Sequence, residues 1–169
     1  TNWPPGEIKG ILTNLNEQLD AAIFHATLSG DSDTIEAVHQ HAHHVINIIE
    51  GEEGPNYDAA FGDPGDGIGV LTHVADRKHG GFAAGAAADD VVVNAHAALL
   101  EVNGMNVEMW ATAARDAALN VIGTTDLTLA NGAVTGDGGA GGDDDGDGGG
   151  GGMLLDSLPE GWHRAHTTA

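Results

Sequence analysis

Two stretches of regularly spaced apolar residues near the start of the chain constrain the fold more than any other feature. Residues 6–29 and residues 35–49 both repeat apolar side chains at steps of three and four, which is the spacing of one face of an α-helix. Gly30 and Gly51 follow them at positions where helices commonly stop, and residues 31–33 offer N-cap side chains. Because the connection is short, the pattern predicts an antiparallel helical hairpin.

The middle of the chain adds two predicted helices and a long loop. The helical spacing fails from residue 51 to about residue 78, where glycine, proline and aspartate predict turns. It resumes over residues 82–103, breaks at Asn103-Gly104 and continues over residues 105–122. The predicted fold is therefore all-α, an antiparallel four-helix bundle over residues 1–123 with a long acidic loop at residues 51–78.

A Gly/Asp-rich C-terminal extension is predicted over residues 124–169. Asn131-Gly132 lies between two short segments of alternating polarity, and this dipeptide is typical of a β-hairpin turn. Residues 136–152 are almost entirely glycine and aspartate, so they bury too little apolar surface to offset the entropy of ordering. We expect a bound ion or a neighbouring chain to order them, and we expect the apolar residues of 153–169 to dock on another surface.

The charge of the chain excludes several classes of partner. The sequence has 26 acidic and 5 basic residues, for a net charge of -21. Without a basic surface, the chain does not bind nucleic acid unaided, and it does not favour anionic membranes. No apolar run approaches the roughly 18 residues that span a bilayer, so direct membrane insertion is not expected. The absence of cysteine excludes disulfides, cysteine-ligated zinc and iron–sulfur clusters.

Histidines on the predicted hairpin are the first candidate site. The pairs His39/His43 and His41/His44 each have the helical spacing that lets two imidazoles bind one metal ion, and His96 on the third helix is the expected partner. Three interpretations remain open. The histidines form a water-exposed polar face without a ligand, or they bind a transition metal (Cu, Zn or Fe), or they bind haem. Haem is the least favoured because it also needs a wide apolar slot between helices.

Acidic loops are the second candidate site. Asp143, Asp145 and Asp147 match the first half of a calcium loop, but Leu154 stands where the bidentate glutamate belongs. In the central loop, Asp58, Asp63 and Asp66 lie in short Asp-Gly turns that suit a hard cation such as Ca²⁺. The alternatives are an unliganded acidic tail and plain turns in which aspartates bond to their own backbone.

Features of an enzyme are weak in this sequence. Cysteine is absent, no serine lies in a G-x-S-x-G turn, and the phosphate-binding G-x-x-x-x-G-K-[ST] loop is missing. Carboxylates are so frequent that paired acids mark no acid–base centre. We therefore expect a protein without catalytic activity.

One part of the chain resembles a group of known domains. The residues on which the resemblance is based are Gly30-Asp31, Ala37, the run from His41 to Gly51 (HAHHVINIIEG), Asn56 and the run from Asp63 to Leu71 (DPGDGIGVL). Across residues 28–75 this pattern is similar to uncharacterised exported bacterial domains with a His-rich helix hairpin and an acidic Asp-Gly loop. That group has an acidic residue where His43 stands here, so the resemblance implies that His41 and His44 are the matching histidines.

Export is the expected localisation. The chain begins with Thr1 instead of Met, lacks cysteine and is strongly acidic, as suits an extracellular or periplasmic protein, although a salt-adapted cytoplasm gives a similar acid excess. We predict a cation-binding protein with histidine sites for a transition metal and aspartate loops for calcium. The alternative is a structural or accessory subunit of a larger assembly, packed on other protein chains or on copies of itself.

Overall fold

The computed structural model describes residues 10–75 and 91–135, and these residues are mostly helical. Five α-helices follow one another: α1 (Ile11–Gly30), α2 (Ile35–Glu50), α3 (Val70–Ala75), α4 (Val91–Ile122) and α5 (Leu127–Thr135). A short 3-10 turn (Ala59–Phe61) lies between α2 and α3. These two described ranges contain no β-strand. The predicted all-helical class is confirmed, and the helices pack as a bundle.

Helices α1 and α2 form the predicted hairpin. The Ser29 hydroxyl donates a hydrogen bond of 3.0 Å to the Val38 carbonyl, and further from the connection His25 on α1 contacts His41 on α2. These contacts pair later residues of α2 with earlier residues of α1, so the two helices are antiparallel. Thr34, and not residues 31–33, caps α2 by accepting a hydrogen bond of 3.3 Å from the Ala37 amide.

The core lies where α2 packs between α1 and α4. Every residue of α2 from Val45 to Glu50 is buried. The facing side of α4 is lined by alanines and one valine, Ala111, Ala114, Ala118 and Val121, which lets the two helices approach closely. A cavity of about 20 Å³ between α1, α2 and α4 has room for about one water molecule. This cavity is not the wide slot that the haem interpretation requires.

The predicted loop at 51–78 contains more structure than expected. After Gly51, the chain folds back over the end of α2 and then forms α3, which the spacing analysis missed. Helix α3 is short and rich in β-branched residues, so local propensity predicts it poorly. It forms because Val70, His73 and Val74 are almost fully buried against the other helices.

The predicted break at Asn103-Gly104 is wrong. Helix α4 runs without interruption from Val91 to Ile122, so within the described residues the third and fourth predicted helices are one. A glycine inside a helix costs only about 1 kcal/mol relative to alanine. The buried residues that α4 presents further along, such as Ala118 and Val121, outweigh this cost. The described residues are therefore not divided into the four helices that were predicted, because one long helix stands where two were expected.

The predicted hairpin around Asn131-Gly132 is also wrong, because both residues lie inside α5. The Asp126 carboxylate accepts a hydrogen bond of 3.0 Å from the Leu129 amide, which is the N-cap contact that starts a helix. Ala130 is fully buried against the core. Tertiary packing and the cap therefore override the turn preference of the dipeptide.

Several predictions lie outside the described residues. They concern residues 82–90 of the third predicted helix, the Gly/Asp-rich segment 136–152 and the docking tail 153–169. In the parts of the chain that the structure describes, no helix combines the length and apolar character needed to span a bilayer.

Candidate metal centre

Three histidines from the α1–α2 hairpin meet at one point. His41 and His44 lie one turn apart on α2, and His25 faces them from α1. The Nδ1 atom of His25 lies 3.1 Å from the Nδ1 atom of His41 and 3.1 Å from the Nδ1 atom of His44. The donor atoms of all three histidines lie within 4.8 Å of one another. We call these residues the histidine triad.

The spacing of these nitrogens suits a metal ion. A tetrahedral zinc ion with Zn–N bonds of about 2.0–2.1 Å holds its nitrogen ligands about 3.3–3.4 Å apart. The two nitrogen separations of 3.1 Å lie slightly below that value. The rings of His25 and His44 are nearly perpendicular, at 79°, and those of His41 and His44 are at 70°. The three nitrogens could therefore hold a metal ion.

A hydrogen bond to the loop sets the tautomer of His44. Its Nε2 atom lies 2.9 Å from the Phe61 carbonyl oxygen, which can only accept, so Nε2 carries the hydrogen. In neutral His44, the Nδ1 atom therefore presents a lone pair to His25. Donation of the distal N–H to a backbone carbonyl is the usual outer contact of a metal-bound histidine.

The triad does not satisfy itself by hydrogen bonding. Neutral His44 has no hydrogen on Nδ1, so any hydrogen at the centre must come from His25 or His41. One hydrogen on His25 Nδ1 points along only one of the two 3.1 Å contacts, and a hydrogen on His41 leaves His25 and His44 facing each other with lone pairs. A cation between the nitrogens stabilises all three at once.

The surroundings of His25 and His41 favour their neutral forms. The pKa of His25 is lowered to about 4, mainly by burial and in smaller part by the neighbouring His44 and His41. Burial also lowers the pKa of His41, with His44 as the second cause. A neutral imidazole is the form that binds a metal, so these two lowered pKa values favour metal binding.

His39 and His43 make other contacts. The Nε2 atom of His39 lies 2.7 Å from the Thr124 carbonyl, to which it donates. The His43 ring stacks on Phe61 with 3.7 Å between ring centroids, and burial lowers its pKa although Asp58 acts in the opposite direction. Neither belongs to the group of donors that the structure brings together. The pairing His39/His43 therefore gains no support, whereas the pairing His41/His44 does.

The third member of the triad differs from the predicted one. His96 is exposed on α4, and His25 occupies the expected place. The sequence holds a signal for this arrangement, because in an antiparallel hairpin residues equally distant from the connection face each other. His25 precedes the connection at residues 31–34 by six residues and His41 follows it by seven, so the two lie nearly opposite each other.

Aspartates of the central loop are bonded to their own turns. Asp58 accepts from the Ala60 amide at 2.9 Å, Asp63 from the Gly65 amide at 2.7 Å, and Asp66 from the Ile68 amide at 3.0 Å. The other Asp66 oxygen lies 2.6 Å from Nε2 of the buried His73. Across residues 10–75 and 91–135 the triad is the one group of three or more close histidine, aspartate or glutamate donors. Calcium in this loop stays a prediction, and Asp143, Asp145 and Asp147 lie outside the described residues.

A buried amide holds the loop beside the triad. Asn47 is fully buried, and its Nδ2 donates to the carbonyls of Asp58 at 2.9 Å and Gly62 at 2.7 Å. Its Oδ1 accepts from the Asp58 amide at 2.9 Å. These three bonds fix both ends of the 3-10 turn, and with it the Phe61 carbonyl that contacts His44. The sequence carries no signal for this role of Asn47, because a lone asparagine within a helix forms no motif.

A buried carboxylate fixes the next part of the loop. Glu50 accepts from the backbone amide of Asn56 at 2.6 Å, from its side-chain amide at 2.7 Å and from Arg115 at 3.2 Å. This arrangement joins the end of α2 to the loop and to α4, and it satisfies a charge that is costly to bury alone.

Comparison with known proteins finds no matching family model, no matching curated protein and no matching solved structure. The geometry of the triad is therefore the main indication of function.

Proposed function

We propose that the protein binds one transition metal ion through His25, His41 and His44. The observation that carries this proposal is the convergence of three Nδ1 atoms on one point, with two separations of 3.1 Å. The lowered pKa values of His25 and His41 and the outer hydrogen bond of His44 to Phe61 support it.

Zinc and copper are the proposed ions. The triad offers three nitrogens and neither a thiolate nor a carboxylate, and imidazole suits Zn and Cu, whereas Ca²⁺ and Mg²⁺ prefer oxygen ligands. Iron sites without haem commonly add a carboxylate to two histidines, which the triad lacks. A net charge of -21 raises the local concentration of cations and favours their capture.

The wider setting is proposed from the sequence. We infer an exported, non-catalytic cation-binding protein of the cell envelope or the extracellular space, in line with the acid excess and the absence of cysteine. The resemblance of residues 28–75 to exported bacterial domains supports this setting, and Asp143, Asp145 and Asp147 are the proposed calcium ligands of the C-terminal extension.

Titration of chelator-treated protein with Zn²⁺ or Cu²⁺ tests the metal site. We expect one tight equivalent per chain by calorimetry, and loss of that equivalent in H25Q, H41Q and H44Q. The H44Q substitution is the most informative because the glutamine amide can still donate to the Phe61 carbonyl while the Nδ1 ligand is lost. H96Q, on an exposed histidine outside the triad, is the matched control and should bind normally. Equal binding by H44Q and H96Q would refute the proposal.

A second candidate function is assembly, which a face of α4 favours. Leu99, Val102, Met105 and Met109 lie on one side of this helix, and each is at least 49% exposed. Such a stripe suits packing against a second copy of the chain. Light scattering should then show a concentration-dependent dimer that V102S/M109S weakens. A monomer at every concentration would leave this candidate without support.

A further inference from the structure

The triad supplies fewer ligands than its proposed metals use. Zinc in proteins is almost always four-coordinate, and three histidines with an open fourth position are the pattern of sites that bind an exchangeable ligand. Within the described part of the chain, the group of close donors contains these three histidines and no fourth residue. His25, His41 and His44 are each only partly buried.

The charge of the site determines which ligand fits the fourth position. Three neutral imidazoles leave the full charge of a divalent ion, and the group of close donors includes no carboxylate to offset it. The acidic excess of the whole chain acts over longer distances, and salt screens it beyond about 8 Å at physiological ionic strength. An anion bound directly to the metal therefore gains more from the ion than it loses to distant carboxylates.

We propose that the metal in the triad keeps an open coordination position that binds a small anionic oxygen or nitrogen donor, such as hydroxide or a carboxylate. This inference rests on the proposed metal site and deepens it by naming the class of ligand. In the absence of that anion a water molecule occupies the position, and the anion displaces it without other chemistry.

Azide binding to the copper-loaded full-length protein tests the inference. Azide is a small anionic nitrogen donor, and its coordination to Cu²⁺ produces a charge-transfer absorption band. We expect a new band that rises with azide and saturates at one azide per copper, together with a shift in the copper paramagnetic resonance spectrum. Copper-loaded H96Q is the control and should respond in the same way. Acetate should compete with azide for the position.

The possible outcomes separate this inference from the metal site itself. If copper fails to bind at one equivalent, the proposed function fails first. If copper binds at one equivalent but saturating azide changes neither spectrum, the coordination sphere is closed and the inference is wrong. A saturable azide band that acetate reverses supports both.

Discussion

At the scale of single residues, neighbouring histidines of α2 have different roles because each step along a helix turns the side chain by about 100°. His44 faces α1 and points a nitrogen at His25, whereas His43 stacks on Phe61. His44 also donates to the Phe61 carbonyl. His43 therefore contacts the ring of Phe61, and the adjacent His44 contacts its backbone. Whether a histidine can bind a metal depends on the side of the helix on which it lies, and not on how many histidines are close to it in sequence.

Asn47 is the residue on which the loop depends most directly. In N47A, the Asp58 amide and the carbonyls of Asp58 and Gly62 lose their bonds to Asn47, although the Asp58 carbonyl still accepts from the Phe61 amide. We expect a loss of about 1–3 kcal/mol in the free energy of unfolding. Urea denaturation measures this loss. N120A removes an exposed asparagine of α4 and should change the free energy by less than about 0.5 kcal/mol. Equal effects of the two substitutions would contradict the role given to Asn47.

The lowered pKa of His25 predicts that the stability of the metal-free protein depends on pH. Its pKa is about 4 in the folded state and near 6.5 in the unfolded chain, so between these values the unfolded chain binds more protons. The free energy of unfolding should therefore fall as the pH drops from 6.5 towards 4.

Comparison with H25Q isolates this contribution, because the carboxylates titrate in both proteins. Urea midpoints measured from pH 7 to pH 4.5 should fall more steeply in the unmodified protein than in H25Q, whereas H96Q should follow the unmodified protein. If the difference between the unmodified protein and H25Q is constant with pH, folding does not lower the pKa of His25.

At the scale of elements, the end of α2 and the start of α3 meet backbone to backbone. Gly51 follows α2 with a φ of 71°, and Gly69 precedes α3 with a φ of 89°. A Cβ atom on Gly51 would lie 2.3 Å from the Ile68 carbonyl oxygen, and one on Gly69 would lie 2.5 Å from the Glu50 carbonyl carbon. Both positions therefore require glycine for conformation and for space.

The pair Gly51 and Gly62 separates these two requirements. Both have nearly the same backbone angles, but a Cβ atom on Gly62 meets nothing within 4 Å. G62A should cost about 1–3 kcal/mol from backbone strain alone. G51A should cost clearly more in the free energy of unfolding by urea, because a backbone carbonyl must also move. Equal losses would mean that the contact between Gly51 and Ile68 relaxes without cost.

Sequence predicted the elements well where local signals and tertiary packing agree. The α1–α2 hairpin is confirmed because its periodicity, its short connection and Gly51 all indicate the same structure. Helix α3 was missed and α5 was predicted as a hairpin, because burial of Val74 and Ala130 decides those segments and burial depends on residues distant in sequence. Helical spacing alone predicts that His41 and His44 share a site. The place of His25 beside them depends on the register between two helices.

At the scale of the whole molecule, the protein combines a small alanine-rich core with a large net negative charge. Many core side chains are alanines, so each helix contact buries little apolar surface. The chain has 26 acidic residues and only 5 basic residues. Mutual repulsion of carboxylates therefore opposes the compact state more than in a balanced protein of this length. Screening by salt should relieve it.

We expect sodium chloride to raise the melting temperature of the metal-free protein between about 0.02 and 0.5 M. The Debye length shortens to about 3 Å at 1 M salt, so the gain should level off as screening becomes complete. If screening restores about 1–2 kcal/mol, the rise is about 2–8 °C for a chain of this size. Thermal unfolding followed by circular dichroism in the presence of EDTA measures the change without a contribution from divalent cations.

The identity of the salt distinguishes screening from a general effect on hydration. Sodium thiocyanate weakens apolar burial at high concentration, but below about 0.2 M it screens charge as chloride does because the Debye length depends on ionic strength alone. Equal initial gains in the two salts therefore indicate repulsion between carboxylates. A melting temperature that stays constant or falls in both salts would show that the acidic residues are too far apart, or too well paired, to oppose folding.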